Sequence, residues 1–430
     1  MDHDQSHPKL STAESGTQAS HNLTLPASRY YAMDVLRGFA LLGILVPNVW
    51  FFAWPMAAGT IPERVLSDSS ANRIAHDITS VVFLGKFMFL FALLFGAGVV
   101  IYAKKFEPQA TQTDSAETRL TNIKLTTGAS LWYMRCFTLL IFGMLHAYLF
   151  WYGDILTLYA VAGLTLLWWV RRLDPRIQLW GGLGLYFLGA LLMLALTALG
   201  YIAYQQGHVT LEELTGGDTT HEIKGYQGGF ISAFTTRFLT TLMMQIFFGI
   251  LFMPALWGIM TMGMGLTRLG ILTGERAFGF YLKAAFVLLP LGALLTVALY
   301  ILTNRFGEVS GYIWQGTSQL IGVPLSLGYG AIIIAFAKAR AARLLTYPLA
   351  CVGRMALSNY FAHTLLCTTF FYGYGLGYFA KIEYPALWLI VLVVWAFNII
   401  FSMLWLRAFK MGPFEWIWRC VTYMRLVPIR

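Results

Sequence analysis

Residues 31–48 read YAMDVLRGFALLGILVPN. Asp34 and Arg37 stand three apart at the head of an apolar run that continues to residue 54, and Asn48 follows the arginine by eleven positions. A hydrocarbon core about 30 Å thick takes roughly 20 apolar residues of helix, so this run is long enough to cross a bilayer. It lacks a small-residue cleavage site and is too long for a signal-peptide core, which keeps it as a span. Working outward, nine more runs meet the same criterion. The predicted spans are 32–54, 77–103, 131–151, 154–171, 177–204, 237–266, 277–303, 312–337, 347–372 and 384–406.

The composition agrees. Of 430 residues 58% are apolar and 12% charged, where a soluble domain carries about a quarter charged. The fold class is therefore all-α: a polytopic membrane protein of about ten transmembrane helices. A polar tail over 1–28 is expected to be disordered and cytoplasmic, followed by a membrane domain over 29–406 and an interfacial segment over 407–430. Gly residues in the fifth to seventh runs mark close helix packing. No internal repeat stands out, and the longest polar connection is 205–236.

Orientation follows from the Lys and Arg between spans. With the N-terminus inside, 21 of the 30 basic residues fall on the cytoplasmic side and 6 on the other. Both termini are then cytoplasmic. The same bias accounts for the net charge of +10 without a nucleic-acid partner. Cys136, Cys351, Cys367 and Cys420 lack metal-ligand spacing, so neither a zinc site nor a disulfide framework is expected.

Ionisable groups within spans cost roughly 2.5–3.5 kcal/mol each on insertion scales, so each needs a partner or a purpose. In the first span Asp34 and Arg37 share a helix face and can pair. Asn48 lies on the same stripe, roughly 16 Å further out. The stretch reads as a boundary ion pair with an Asn joining helices, or as a site. In CFTLLIFGMLHAYLFWYGDILTLYAVAG (136–163) a very short turn makes a tight hairpin. Asp154 can cap the second helix, and it can also orient His146 as a general base. Arg135 precedes His146 by eleven, repeating the spacing of the first span. Lys86, in VVFLGKFMFLFALLFGAG (81–98), reads as a structural ion pair, with Asp154 the candidate partner, or as a cation for a substrate oxyanion. In VGRMALSNYFAH (352–363) Arg354 opens a span where phosphate could bind, and Asn359 and His363 share a face; each also reads as structural. The Trp- and Arg-bearing C-terminus, KMGPFEWIWRCVTYMRLVPIR, reads as a helix on the inner leaflet.

Several of these stretches resemble one family. Asp34-Val-Leu-Arg37-Gly38 through Pro47-Asn48, Lys86 through Gly98, His146 through Asp154, Gly353-Arg354 through Tyr360, and Gly412-Pro413 through Arg419 are similar to the YeiB-type bacterial inner-membrane proteins, whose function is unassigned. The first span also resembles, more loosely, those of the transmembrane acyltransferases of the heparan-alpha-glucosaminide N-acetyltransferase and acyltransferase-3 types. That likeness implies transfer of an acyl group from cytoplasmic acyl-CoA to an extracytoplasmic acceptor such as a sugar. Acyltransferase-3 members carry His where this chain has Asn48, so that catalytic assignment does not transfer. The glucosaminide enzymes use a His beyond the first span, and the only His in that connection here is His76.

The expected site has Arg37, Asp34, Arg135 and Arg354 at the phosphates of acyl-CoA, His146 as base, Asp154 orienting it, and Asn48 or Lys86 at the oxyanion. No metal is expected. The lipid bilayer and a small-molecule or glycan acceptor are the expected partners, and homo-oligomerisation is left open. A small-solute transporter or permease is the alternative, as is a lipid-binding scaffold without turnover.

Overall fold

The computed structural model describes residues 30–60, 62, 66–67, 69–106 and 115–430; the expected tail over 1–28 lies outside them. The helices are α1 (Tyr31–Ala53), α2 (Ser70–Ile78), α3 (Lys86–Ala103), α4 (Ser115–Leu149), α5 (Leu156–Ala162), α6 (Trp168–Val170) and α7 (Pro175–Gln205). Then come α8 (Leu211–Thr215), α9 (Thr219–Gln227), α10 (Phe230–Met243), α11 (Gly249–Arg268), α12 (Phe278–Thr303) and α13 (Ser310–Thr317). The last are α14 (Gly322–Lys338), α15 (Arg343–Arg354), α16 (Ala356–Phe371), α17 (Tyr384–Ala408) and α18 (Pro413–Tyr423). There is no strand among the described residues.

Eight helical stretches among the described residues are long and apolar enough to cross a membrane. The ten predicted runs map onto them with five differences. The predicted 237–266 belongs to α10 and α11, which are joined through one π turn and counted as two stretches. The predicted 277–303 and 312–337 merge into one stretch, Phe278–Lys338. Leu156–Val170 is short for a span, and 347–372 is divided at Met355 into α15 and α16. The predicted 77–103 is interrupted as well. Thr79–Phe83 forms a π turn, Leu84 is extended, and Gly85 takes φ +79°, a value that glycine adopts without a Cβ penalty. Lys86 therefore stands at the first turn of a new helix rather than midway along an old one.

The first span is the centre of the molecule. Val35, Leu36, Ala40 and Leu41 of α1 are fully buried, and α3, α14, α15, α16 and α17 all pack around it. In a bilayer helices associate through close backbone packing, since lipid tails are as apolar as leucine. A Cβ at Gly38 would lie 1.9 Å from the carbonyl oxygen of Leu349, and one at Gly353 1.9 Å from that of Asp34. The backbones of α1 and α15 thus touch, which gathers Asp34, Arg37 and Arg354 at one junction.

The C-terminal helix is docked on protein as well as amphipathic. Phe414 stacks on Phe361 at 4.2 Å. Glu415 accepts from the backbone N–H groups of Leu357 (2.7 Å) and Ser358 (3.2 Å), capping the N-terminus of α16. Burial pushes the Glu415 carboxyl above its usual range, against the lowering effect of these bonds. Ile417 and Val421 stay exposed on the other face.

Candidate functional site

The hairpin between α4 and α5 brings His146 and Asp154 together. Gly143 lies one turn before His146; a Cβ there would sit 2.5 Å from the Thr157 nitrogen and 3.0 Å from Asp154 Oδ2. Only a glycine lets the start of α5 lie so close against α4. The turn is fixed from behind by Arg237 on α10, which is fully buried. Its guanidinium donates to the carbonyls of Tyr148 (2.9 Å), Leu149 (2.6 Å) and Phe150 (3.0 Å). Those are the carbonyls a helix C-terminus leaves without intrahelical donors, and a cation there also suits the helix dipole.

Asp154 uses both oxygens. Oδ2 accepts the Thr157 N–H at 2.7 Å and caps α5. Oδ1 lies 3.0 Å from His146 Nδ1, a close contact that is not aligned as a linear hydrogen bond, and accepts from the Tyr360 hydroxyl at 3.4 Å. On the far side of the ring, His146 Nε2 is 2.8 Å from Thr364 Oγ1. The result is a hydroxyl, an imidazole and a carboxylate in series, Thr364–His146–Asp154. The His146 and Asp154 side chains are 0% and 1% exposed, and Thr364 is buried with them. Tyr360 and Phe361 enclose the ring at 4.8 and 5.3 Å.

Asn48 and Lys86 belong to a different compartment. They line a cavity of about 250 Å³ whose wall includes Ile155, the residue after Asp154. The Ile155 N–H donates to the Tyr360 hydroxyl, so the wall of this cavity adjoins the His146–Asp154 contact. Lys86 is 2% exposed; its Nζ donates to the Ser80 carbonyl at 3.2 Å and lies 5.5 Å from the Trp314 ring. The expected Lys86–Asp154 ion pair does not form, because Asp154 is committed to His146 and to the cap of α5.

The four residues expected at acyl-CoA phosphates divide into two groups. Arg37 Nη1 donates to Asp34 Oδ1 at 3.0 Å, and Arg354 lies within electrostatic reach of the same carboxylate. Arg354 also donates to the Lys410 carbonyl at 3.0 Å. Arg135 is elsewhere: its guanidinium packs on the rings of Trp418 (4.0 Å) and Tyr102 (5.2 Å), and its charged neighbour is Arg419. Arg37 and Arg135 therefore have separate sets of partners. Docking of α18 on α4 covers Arg135 with aromatic faces instead. His76 packs in its own aromatic stack, 4.9 Å from Trp50, with Asp77 Oδ1 3.7 Å from its Nδ1. Asn359 joins helices by donating to Ser402 Oγ at 2.8 Å, and His363 is buried beside it on α16.

Sequence reading missed Thr364, Tyr360, Arg237 and Glu415. Tyr360 and Thr364 had a usable signal: they are four apart on α16, one step round the helix from the Asn359–His363 stripe. Arg237 had none, since its partners are carbonyls nearly ninety residues away.

Taken together, fold and site define a multi-pass all-α membrane protein with a buried hydroxyl–imidazole–carboxylate series beside an intramembrane cavity. The chain belongs to the YeiB family of membrane proteins. It is 30% identical over 404 residues to "Uncharacterized protein YeiB" of Escherichia coli (strain K12), covering 92% of this chain and 96% of that one. It is also 30% identical over 428 residues to "Uncharacterized protein YxaH" of Bacillus subtilis (strain 168), covering 94% and 97%. Residues 266–425 match the family described as "Protein of unknown function (DUF418)". No solved structure matches.

Proposed function

We propose that the chain is a transmembrane acyltransferase of the bacterial inner membrane. It passes an acyl group from cytoplasmic acyl-CoA to a hydroxyl or amine of an extracytoplasmic acceptor such as a sugar. The observation that carries the reading is the juxtaposition Thr364–His146–Asp154, with a base held between a carboxylate and a hydroxyl. Such an arrangement can take up and return one proton. The acceptor oxygen attacks the thioester carbonyl, its proton passes through the Thr364 hydroxyl to His146 Nε2, the C–O bond forms and the C–S bond breaks. The proton then returns to the departing thiolate. Asp154 holds the imidazole and stabilises its cation. Arg37 and Arg354, sharing Asp34, hold the donor's phosphates; Arg135, covered by Trp418, is left out of that role.

The test is acyl-CoA turnover by purified protein in lipid nanodiscs, with and without sugar acceptors. His146→Ala should lower turnover by about 10²–10⁴-fold, the range for losing a general base. No wild-type turnover of short- and medium-chain acyl-CoA, or turnover unaffected by His146→Ala, ends the proposal. The small-solute permease reading draws on the cavity around Asn48 and Lys86, and solute uptake into proteoliposomes without acyl-CoA would select it.

A further inference from the structure

The cavity beside Lys86 joins a cation to a wall that is largely apolar. Phe83, Phe87, Met88, Phe252 and Ile259 line it, and Phe83 and Phe87 stack at 5.3 Å to form one side. An ammonium has three donors, and Lys86 commits one of them, to Ser80. No carboxylate among the described residues pairs with it. Burying a charge without a counter-charge is among the most expensive arrangements a protein can hold.

The break at Gly85 adds a second, independent element. The N-terminus of α3 has no side-chain cap, and residues 84–89, which include its first turn, line the same cavity. The backbone N–H groups of a first turn lack intrahelical partners and favour an anion. Lys86 and the first turn of α3 therefore share one part of the wall, Phe83, Phe252 and Ile259 give it apolar faces, and Asn48, Gln315, Ser318, Gln319 and Ser326 give it polar ones. An enclosed space of 150 Å³ takes a benzene-sized molecule, so about 250 Å³ takes roughly ten non-hydrogen atoms.

We propose that this cavity is a binding site for a small amphiphilic anion, a carboxylate-class head on Lys86 and the α3 N-terminus with an apolar tail of about eight carbons along Phe83, Phe87 and Phe252. The ligand supplies the charge that the protein withholds. The site stands whether or not the chain transfers acyl groups, because its elements are the cavity, the cation and the helix end.

Octanoate, with ten non-hydrogen atoms, is the probe. The full chain in phosphatidylcholine nanodiscs is titrated calorimetrically with octanoate, octanol and octylammonium, and empty nanodiscs are subtracted. Octanoate should bind saturably at one site, octanol more weakly and octylammonium not at all. Lys86→Gln should weaken octanoate by about tenfold or more, as expected for losing a charged hydrogen bond, and Lys86→Arg should retain most of the binding. Should Lys86→Gln fail to fold, the head-group comparison on the wild-type protein decides alone. Octylammonium binding as well as octanoate, no saturable octanoate binding, or unchanged affinity in a folded Lys86→Gln protein each overturns the site. His146→Ala should bind octanoate like the wild type even as it loses acyl transfer, so the two proposals fail separately.

Discussion

The two compartments on either side of Ile155 treat buried charge in opposite ways. Around Asp154 the charge has partners built in: the His146 imidazole, a backbone N–H and the Tyr360 hydroxyl face the carboxylate, and Thr364 meets the far ring nitrogen. Around Lys86 there is one carbonyl, one indole face and open space. A charge whose partners are built in contributes to holding helices together, whereas a charge left open costs stability and is kept for what it binds. Substitutions in the two places should therefore differ in sign as well as size.

The largest effect is expected at Asp154. Removing one member of a buried pair leaves the other uncompensated and costs about 3–5 kcal/mol. Asp154→Ala also strips the cap from α5. It should lower the denaturant midpoint in detergent more than any other change considered, and a midpoint within error of wild type would show that the pair carries no charge. Arg237→Ala comes next, at about 2–3 kcal/mol, since three carbonyls at the end of α4 lose a charged donor together. Arg237→Lys should restore only part, because an ammonium cannot span the three acceptors as a planar fork does.

How far these partners could be foreseen depends on how far apart in the chain they are. The hairpin was legible, since only Trp151-Tyr152-Gly153 separates the end of one apolar run from Asp154, and a short turn forces antiparallel neighbours. The Asp34–Arg37 pair was legible for the same local reason. Hydropathy gave the all-α membrane fold but not its interruptions, because a run such as 347–372 stays apolar through the break at Met355. The third member of the series, Thr364, comes from a helix 218 residues away. Arg135 shows the same limit: its spacing from His146 is visible in the sequence, but spacing along one helix says nothing of Trp418, which packs over it from the C-terminus.

Gly143→Ala tests the close approach that makes the paired side possible. The added methyl would meet backbone at 2.5 Å, so α4 and α5 must part by a few tenths of an ångström or more. Overpacking of this kind costs about 1–3 kcal/mol. Its sharper signature is loss of acyl transfer beyond the loss of stability, because His146 and Asp154 separate first. A variant destabilised but fully active would divide the packing role of the hairpin from any chemical one.

Glu222, on α9 outside the spans, stands between the two extremes. Its carboxylate accepts the Met56 N–H at 3.1 Å, yet burial pushes its pKa up from 4.5 to about 7. The folded state thus holds a proton that the unfolded state releases. Its stabilising contribution is full below about pH 4.5 and is lost as pH rises through about 7. The melting temperature should fall across that window in the wild type and stay flatter in Glu222→Gln. Parallel profiles would mean that Glu222 is already ionised and paired in the fold.

The smallest expected change is at Lys86, and it is the one that most directly separates the two kinds of site. If Lys86 were a structural cation with a carboxylate partner, Lys86→Met would leave that buried carboxylate alone and cost several kcal/mol. No such carboxylate faces it among the described residues, so methionine removes a desolvated charge and leaves a flexible apolar chain of similar length. One carbonyl, that of Ser80, loses its donor, a loss of about 1 kcal/mol that relief from charge burial offsets. The midpoint of ligand-free Lys86→Met should therefore lie at or above that of the wild type, measured in non-ionic detergent so that no anion is supplied. Adding octanoate should raise the wild-type midpoint and leave the variant where it was. A Lys86→Met protein as unstable as Asp154→Ala would place Lys86 among the paired charges and remove the contrast between the compartments.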